Sequence, residues 1–593
     1  MTMSGIDLSP SRVSALDGLR AVAVLMVVLY HVAPDMVPAG LVGVDVFFVL
    51  SGYLITTGLL REWDSGSIHF GRFWLRRARR LLPALLGLVL IVGSALFVIG
   101  GDAGVGFGDQ VLAGLLFVEN WHLVSVGNDY FALNSPAVLQ HLWSLAVEEQ
   151  FYLVWPLALF LLLRLDSPRR TLWILVLAGT SLLWGWVAID VFSLPRAYYG
   201  TDTHLFGLLA GAGLAAARPR TRAWLGRQPA VTFVAVIGIL LMGILVPADA
   251  AFRIASPVSV ALTCLAITGL GRRGLATWIL QVAPLEAIGR RSYGIYLWHW
   301  PALVIVQQVM PHDMPRWTVP SLALLLTVIA SWTSYRFLEL PVLRHGIRAS
   351  ISNFLDPDRT IRWMVRSAAV LVAAAATITA SVLAPERTTT EELITAGQAA
   401  ISTSAPSPAA STSESGHRAP LPGASSTSPR DVSVVAGEDI LAIGDSVMLA
   451  AAPELLERFP GIEIDAEISR QPDSAPGLLR QLASNGQLRP VVVLGLGTNG
   501  LYPPGTLEEV REAIGPERRL VLVDVYAPRS WQDDVNDTLS AFSATDMNAV
   551  AVPWRATANA HPGALSDDLV HPTSYGARLY VACLERALPR TDT

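Results

Sequence analysis

Hydrophobic patterning divides the chain in two. Apolar runs long enough to cross about 30 Å of hydrocarbon fall near 14–33, 41–60, 81–100, 144–165, 171–190, 202–217, 230–247, 254–270, 292–310, 318–338 and 364–384. The run at 202–217 is short, and 108–123 is apolar enough to stand as an alternative span or a re-entrant piece. From about 439 the pattern changes. Short segments at 440–443, 462–466, 491–496 and 520–525 read as buried strands, with helical segments such as 447–458 and 475–484 between them. Such alternation predicts a parallel α/β sheet covered on both faces. Between the two regimes, 385–438 is rich in Ser, Thr, Ala and Pro and has no apolar periodicity. It reads as a flexible linker, roughly 40 Å in root-mean-square length as a coil.

Arginine placement selects a count and an orientation. The connections after the second, fourth, sixth, eighth and tenth runs carry Arg72/Arg76/Arg77/Arg79/Arg80, Arg164/Arg169/Arg170, Arg218/Arg220/Arg222/Arg227, Arg272/Arg273/Arg290/Arg291 and Arg344/Arg348/Arg359/Arg362. The alternate connections hold only Arg196, Arg253 and Arg316. The positive-inside rule then puts the N-terminus in the cytoplasm, and eleven spans put the C-terminal part outside. A span at 108–123 would break the alternation. The expected architecture is a polytopic α-helical membrane domain of about 11 spans (1–384), the linker (385–438), and an extracytoplasmic α/β domain with a parallel sheet (439–593).

Composition narrows the chemistry. Of 593 residues only 15% are charged, against about 25% in soluble proteins, and a net charge of -5 gives no reason to expect nucleic acid. All 43 basic residues are arginine, which excludes Schiff-base and other lysine chemistry. Cys264 and Cys583 lie in a predicted span and in the last helix, so neither a disulfide framework nor a Cys-rich metal site is expected. The first apolar run carries Asp17 and Arg20 at one end and His31 at the other, with no small-residue cleavage site after it. It reads as a retained span rather than a signal peptide.

Three short segments in the last quarter carry candidate chemistry: Gly444-Asp445-Ser446, Gly497-Thr498-Asn499 and Asp568-Leu569-Val570-His571. Ser446 directly follows a predicted strand and precedes a helix, a turn that exposes its hydroxyl at the carboxyl end of the sheet. Serine needs a base to take its proton, and the Asp568-x-x-His571 spacing lets a carboxylate hold the imidazole. Asn499, at the end of another strand, is positioned to donate to an oxyanion beside the Ser446 backbone N–H. Residues 439–590 resemble an SGNH hydrolase domain through these blocks. That resemblance implies an oxyanion donor in Ala466-Glu467-Ile468-Ser469-Arg470-Gln471, where the family usually has glycine and this chain carries Ser469. A backbone N–H survives that change.

The membrane half has its own constellation. Arg20 and His31, eleven residues apart, return to within about 20° of one helix face, roughly 16 Å apart along the axis. Ionisable groups in a span are costly and usually face a bundle interior or a water-filled path. Asp45 is expected at a depth similar to His31, Glu148 and Glu149 near the start of the fourth span, and His299 near mid-depth in the ninth. The two glutamates also suit a helix N-terminus, and His299, between Trp298 and Trp300, also suits interfacial packing.

These residues carry a second resemblance. Leu16-Asp17-Gly18-Leu19-Arg20 through His31, Gly43-Val44-Asp45-Val46-Phe47-Phe48 into Ser51-Gly52-Tyr53-Leu54, Arg76 through Pro83, His141-Leu142-Trp143-Ser144 with Glu148-Glu149-Gln150-Phe151-Tyr152, and Ser292-Tyr293 through His299-Trp300-Pro301 are similar to acyltransferase family 3 over most of 12–345. His204 stands where that family commonly has Arg. The resemblance implies His31 as acyl-transfer base and Arg20 as a partner of an anionic donor, with Asp17, Asp45, Ser51, Arg76, Arg80, Glu148, Glu149 and His299 in support. Guanidinium pairs well with phosphate, which agrees for Arg20. No permanently bound cofactor and no metal is expected; acetyl-CoA or another acyl-CoA enters as donor substrate. The fused halves resemble bacterial envelope-glycan O-acetyltransferases, implying transfer of an acyl group, commonly acetyl, to a cell-envelope glycan such as peptidoglycan. A membrane-anchored esterase that removes such groups is the alternative. A transporter with a periplasmic binding domain leaves the serine-site spacing unexplained. Oligomeric state is not encoded in these patterns.

Overall fold

The computed structural model describes residues 10–128, 137–228, 230–270, 274–311, 314–354, 360–404, 433–529, 531–566, 568–588 and 590–591. Arg272, Arg273 and Arg359, used above for orientation, lie outside them. The chain folds into two compact units, Met1–Glu386 and Arg387–Thr593.

The first unit is helical. Its principal helices are α1 (Pro10–Val32), α2 (Val42–Asp64), α3 (Phe70–Ile99), α4 (Leu142–Leu162), α5 (Ser167–Val191), α6 (Thr201–Ala216), α7 (Val231–Leu245), α8 (Ser256–Gly269), α9 (Ser292–Val309), α10 (Thr318–Ser334) and α11 (Thr360–Val382). Among the described residues, eight helices are long and apolar enough to cross a membrane: those containing α1 to α5, α8, α10 and α11. Of the other three runs, α6 and α7 are shorter, at 16 and 15 residues. The remaining one, α9, carries Ser292, His299, Gln307 and Gln308 among its 18 residues. The segment 108–123 forms two short helices, Phe107–Leu115 and Glu119–Ser125, parted at Phe117, whose φ is +55°. At about 1.5 Å per residue neither is long enough to span.

Small residues let the helices approach. A Cβ on Gly52 of α2 would sit 1.9 Å from the Leu208 carbonyl oxygen, and one on Gly211 of α6 would sit 2.0 Å from that of Val49. Gly207 and Gly211 form a GxxxG stripe, the spacing that brings backbones together where lipid supplies no hydrophobic drive between helices. Phe48, Trp143, Tyr198 and Phe252 pack around His204.

The second unit contains a five-stranded parallel sheet: β1 (Ile440–Gly444), β2 (Glu463–Ala466), β3 (Val491–Gly495), β4 (Arg519–Val523) and β5 (Ala549–Val552), in spatial order β2-β1-β3-β4-β5. Helices α13 (Ser446–Arg458), α14 (Ala475–Ser484), α15 (Thr506–Ile514), α16 (Gln532–Thr545), α17 (Trp554–Ala560) and α18 (Ser574–Ala587) surround it. Separate apolar clusters form on the two faces, one around Met448 and Tyr580 and one around Leu494 and Val510. From β1 the chain goes to β2 on one side and then crosses to β3 on the other. That switch point opens a crevice at the carboxyl ends of β1 and β3.

The linker expected over 385–438 is corrected in its first part. Thr389–Ser404 is a helix, α12, whose Leu393, Ile394, Gly397 and Ile401 face the rest of the second unit, to which it belongs. The overlooked signal is Thr388-Thr389-Thr390-Glu391, a capping box. Thr388 N–H donates to Glu391 Oε2 at 2.9 Å, and Glu391 N–H donates to Thr388 Oγ1 at 3.1 Å. Residues 405–432 of that stretch lie outside the described residues.

Candidate active site

Each candidate side chain of the second unit follows the carboxyl end of a strand or a nearby loop. β1 ends at Gly444, where any Cβ would lie 2.5 Å from Met448. Asp445 then caps α13, its Oδ1 accepting from Val447 N–H at 3.0 Å, as N-cap aspartates do. Ser446 becomes the first helical residue and is 6% exposed. His571 Nε2 lies 2.7 Å from Ser446 Oγ, and His571 Nδ1 lies 2.5 Å from Asp568 Oδ2. A serine, an imidazole and a carboxylate thus stand in a continuous hydrogen-bonded line, the arrangement in which the ring takes the hydroxyl proton as the oxygen attacks.

Asp568 is held firmly. Its Oδ1 accepts from Ser566 Oγ (2.7 Å), Val570 N–H (2.9 Å) and His571 N–H (3.0 Å), while Leu569 takes φ +55° to close the turn. Burial alone would raise this carboxyl. The hydrogen bond and charge of His571, with the backbone N–H groups of His571 and Val570, outweigh it and hold the carboxyl at about 2. Asp445 behaves in the opposite way. Burial dominates and pushes it up to about 6, against hydrogen bonds from Val447 and Thr498.

The oxyanion candidates lie at the same sheet edge. Asn499 Nδ2 donates to Asp445 Oδ2 and to the Arg470 carbonyl, both at 3.4 Å, so the amide is aligned by residues that follow β1 and β2. Ser469 has φ +61°, a left-handed conformation that glycine adopts without cost and serine does not. Arg470, whose side chain is 10% exposed, holds that loop through Asp465: its guanidinium donates to the backbone carbonyl and to Oδ1, each at 2.6 Å. Ser566 and Arg470 were not singled out from sequence. The buried serine two residues before Asp568 and the arginine beside the oxyanion position were the available signals.

In the first unit the predicted residues fall into three groups. Arg20, Ser51, Arg80 and Glu148 line one cavity of about 240 Å³, together with Arg77, Tyr152, Phe47 and Phe48. Arg20 pairs with Asp17 at 3.1 Å. Glu148 accepts from Ser51 Oγ at 2.7 Å and from Tyr152 OH at 3.0 Å, so it serves the cavity rather than a helix terminus. Arg76 pairs with Glu62 at 2.6 Å and lines an adjoining hollow that shares Leu54, Ile55, Arg77 and Arg80 with the first. Glu149 lies beside this group, with Oε1 buried and without a hydrogen bond.

His31 and His299 form the second group. His299 Nδ1 donates to the Tyr296 carbonyl at 2.6 Å. A carbonyl only accepts, so in a neutral ring the Nε2 of His299 is the acceptor. His31 Nδ1, at 3.2 Å, is then the donor, which puts the lone pair of a neutral His31 on Nε2. Trp300 packs edge-on to His31 with ring centroids 4.7 Å apart. His141, a histidine that the sequence motif contained but did not mark, also packs edge-on to His299 with ring centroids 5.9 Å apart.

Asp45 forms the third group, with His204 as its partner. It is 1% exposed, and its Oδ1 lies 3.1 Å from Nε2 of His204, which is fully buried. The departure at His204 therefore supplies the partner of Asp45.

Comparison with known proteins follows this geometry. Residues 13–336 match the family described as "Acyltransferase domain". The chain is 30% identical to the putative peptidoglycan O-acetyltransferase YrhL of Bacillus subtilis (strain 168), over 97% of this chain and 98% of that protein. It is 31% identical to the peptidoglycan O-acetyltransferase OatA of Listeria monocytogenes serovar 1/2a, again over 97% of this chain and 98% of that one. Among solved structures, the C-terminal catalytic domain of Streptococcus pneumoniae peptidoglycan O-acetyltransferase A with a methylsulfonyl adduct covers 27% of this chain and 100% of that chain, at 21% identity and a TM-score of 0.24.

Proposed function

The chain belongs to the acyltransferase domain family, and from that premise we propose that it is a multi-pass membrane O-acetyltransferase acting on peptidoglycan, with acetyl-CoA in the cytoplasm as donor and the second unit outside. The observation that carries the reading is the Ser446–His571–Asp568 line at 2.7 and 2.5 Å. The nearly full-length likeness to proteins named peptidoglycan O-acetyltransferases supports the acceptor. Arginine placement along the sequence supports the orientation.

In this reading the cavity bearing Arg20, Arg77 and Arg80 takes the anionic donor, since guanidinium pairs with phosphate, and His31 Nε2 serves as base for the transfer in the membrane half. In the second unit His571 Nε2 takes the Ser446 proton while Oγ attacks the incoming acyl carbonyl. The oxyanion rests on backbone N–H groups of Ser446 and Ser469 and on Asn499. The leaving group departs with the proton from His571, and an acyl-serine remains. A muramoyl hydroxyl then gives its proton to His571, attacks the acyl carbon, and Ser446 recovers its proton as the new ester leaves. Water in place of the sugar would make the same site an esterase; the three-arginine cavity favours a chain that also loads a donor.

The test is base-labile acetate on purified wall glycan from a deletion strain complemented with wild type, His31→Ala or Ser446→Ala. Acetate that returns only with wild type supports a relay through both sites. Full acetylation in Ser446→Ala would refute the serine step, and a rise in acetate on deletion would mark an esterase.

A further inference from the structure

Helix α12 reaches the triad by a route that the three motifs do not include. Its apolar stripe packs on α13, the helix that begins with Ser446: Ile394 sits against Leu449 and Ala450, and a Cβ on Gly397 would lie 1.8 Å from the Leu449 carbonyl oxygen. Thr395, Ser402, Thr403 and Ser404 each turn the hydroxyl back onto a carbonyl of their own helix four residues earlier. Thr390, in the first turn, has no such helical carbonyl behind it. Its hydroxyl instead donates to Ser566 Oγ at 2.9 Å.

Ser566 has one hydroxyl proton and two acceptors within reach, Asp568 Oδ1 at 2.7 Å and the His571 carbonyl at 3.1 Å. A donor on the Ser566 oxygen polarises its O–H and strengthens the bond that it makes onward. With that proton on Asp568 Oδ1, this oxygen has three donors and Oδ2 is left to His571 Nδ1. The carboxylate then has no freedom to rotate.

We propose that α12 is a positioning element of the Ser446 site, in which Thr390, acting through Ser566, fixes the orientation of Asp568 and so keeps His571 on Ser446. The inference rests on the reading of Ser446 as the nucleophile. It makes the helix that follows α11 in the chain a working part of the catalytic unit. Removal of Thr390 leaves the triad residues present but their carboxylate less well directed.

The test is the rate at which a fluorophosphonate probe labels Ser446 in the full-length chain in detergent micelles. Thr390→Val is expected to slow labelling about fivefold, the value of one neutral hydrogen bond, and Thr390→Ser to restore it. Ser566→Ala should slow labelling as well, with Thr390→Val adding little to it, because both act along one line. Equal labelling of Thr390→Val and wild type, or a Thr390→Ser as slow as Thr390→Val, overturns the role of α12. A wild-type chain that the probe leaves unlabelled overturns the nucleophile itself, and this inference with it.

Discussion

Replacing Ser469 by glycine separates two ways in which that residue can serve an oxyanion. Ser469 holds φ +61°, and an L-residue in the left-handed region costs about 1–2 kcal/mol. Glycine removes that strain, but the added freedom of its unfolded chain takes back about 0.4–1 kcal/mol. The relief is the larger of the two, so Ser469→Gly should be stabilised by about 0.5–1 kcal/mol, read as a higher unfolding midpoint of the full-length chain in detergent. Catalysis follows a different rule. If the donor is the backbone N–H, Ser469→Gly and Ser469→Ala both turn over a soluble acetyl ester within about threefold of wild type. Ser469→Pro removes the N–H and cannot adopt a positive φ, so its rate should fall about 10²–10³-fold. A hundredfold loss in both the Gly and Ala variants would show that the hydroxyl is the donor, and a Gly variant less stable than wild type would refute the strain.

Four further outcomes follow from the same structure. Asp568→Asn should lower ester turnover by about 10⁴-fold, by presenting the wrong His571 tautomer. Because the folded carboxyl lies near 2 and the unfolded one near 3.9, it contributes about 2 kcal/mol of stability above pH 4. That contribution is lost as pH falls toward 2, so wild type and Asp568→Asn should converge in acid unfolding over this window. Asp445, raised to about 6 by burial, works with the opposite sign: folding is penalised once pH exceeds the unfolded value, and the penalty lifts as pH falls through 6. Wild type should therefore unfold at higher temperature at pH 5 than at pH 7.5, and Asp445→Asn should not show that gain. His299→Leu should cut transfer from radiolabelled acetyl-CoA at least about a hundredfold, as loss of an acid–base partner does, yet leave Ser446-dependent ester hydrolysis unchanged; equal loss of both would contradict separate chemistry in the two units. Gly52→Ala forces a Cβ to within 1.9 Å of the Leu208 carbonyl and should cost about 1–3 kcal/mol by overpacking, seen as a lower detergent melting point, whereas Gly58→Ala, on the same helix with open space around it, should hold or raise the melting point, since alanine suits a helix interior better than glycine.

Strands β1, β3 and β4 were legible because each is built on a continuous apolar run, the mark of a strand buried on both faces, whereas β2, at the sheet edge, alternates Glu463-Ile464-Asp465-Ala466. β5 was missed: Ala549-Val550-Ala551-Val552 is only four residues long, and half of them are alanine, which has little preference for a strand. The Ser446, Asn499 and His571 blocks were legible because two of them follow predicted strands and the third is a short Asp-x-x-His loop, and an open α/β sheet gathers such side chains at its carboxyl end. Ser566 and Thr390 were not, since a hydroxyl that supports a carboxylate has no required spacing in sequence. Helix α12 was hidden by composition: its Ser, Thr and Ala content matched the linker around it, and the capping box and the short apolar stripe of Leu393, Ile394 and Ile401 were its local signs.

In the membrane half, periodicity and charge located the apolar helices and marked Arg20, His31, Asp45, Glu148 and His299 as costly groups. They could not say which would meet. A helical repeat fixes only the face and height of a residue on its own helix, whereas partners depend on how neighbouring helices are turned and how closely glycine lets them approach. Tertiary packing alone joined Asp45 to His204, His31 to His299, and Glu148 to Ser51. The sequence by itself determined two units, the polar residues each must accommodate, and the order of the serine-site blocks. The structure decided the pairings, because a buried polar group finds its hydrogen bonds across helices and strands that lie far apart in the chain.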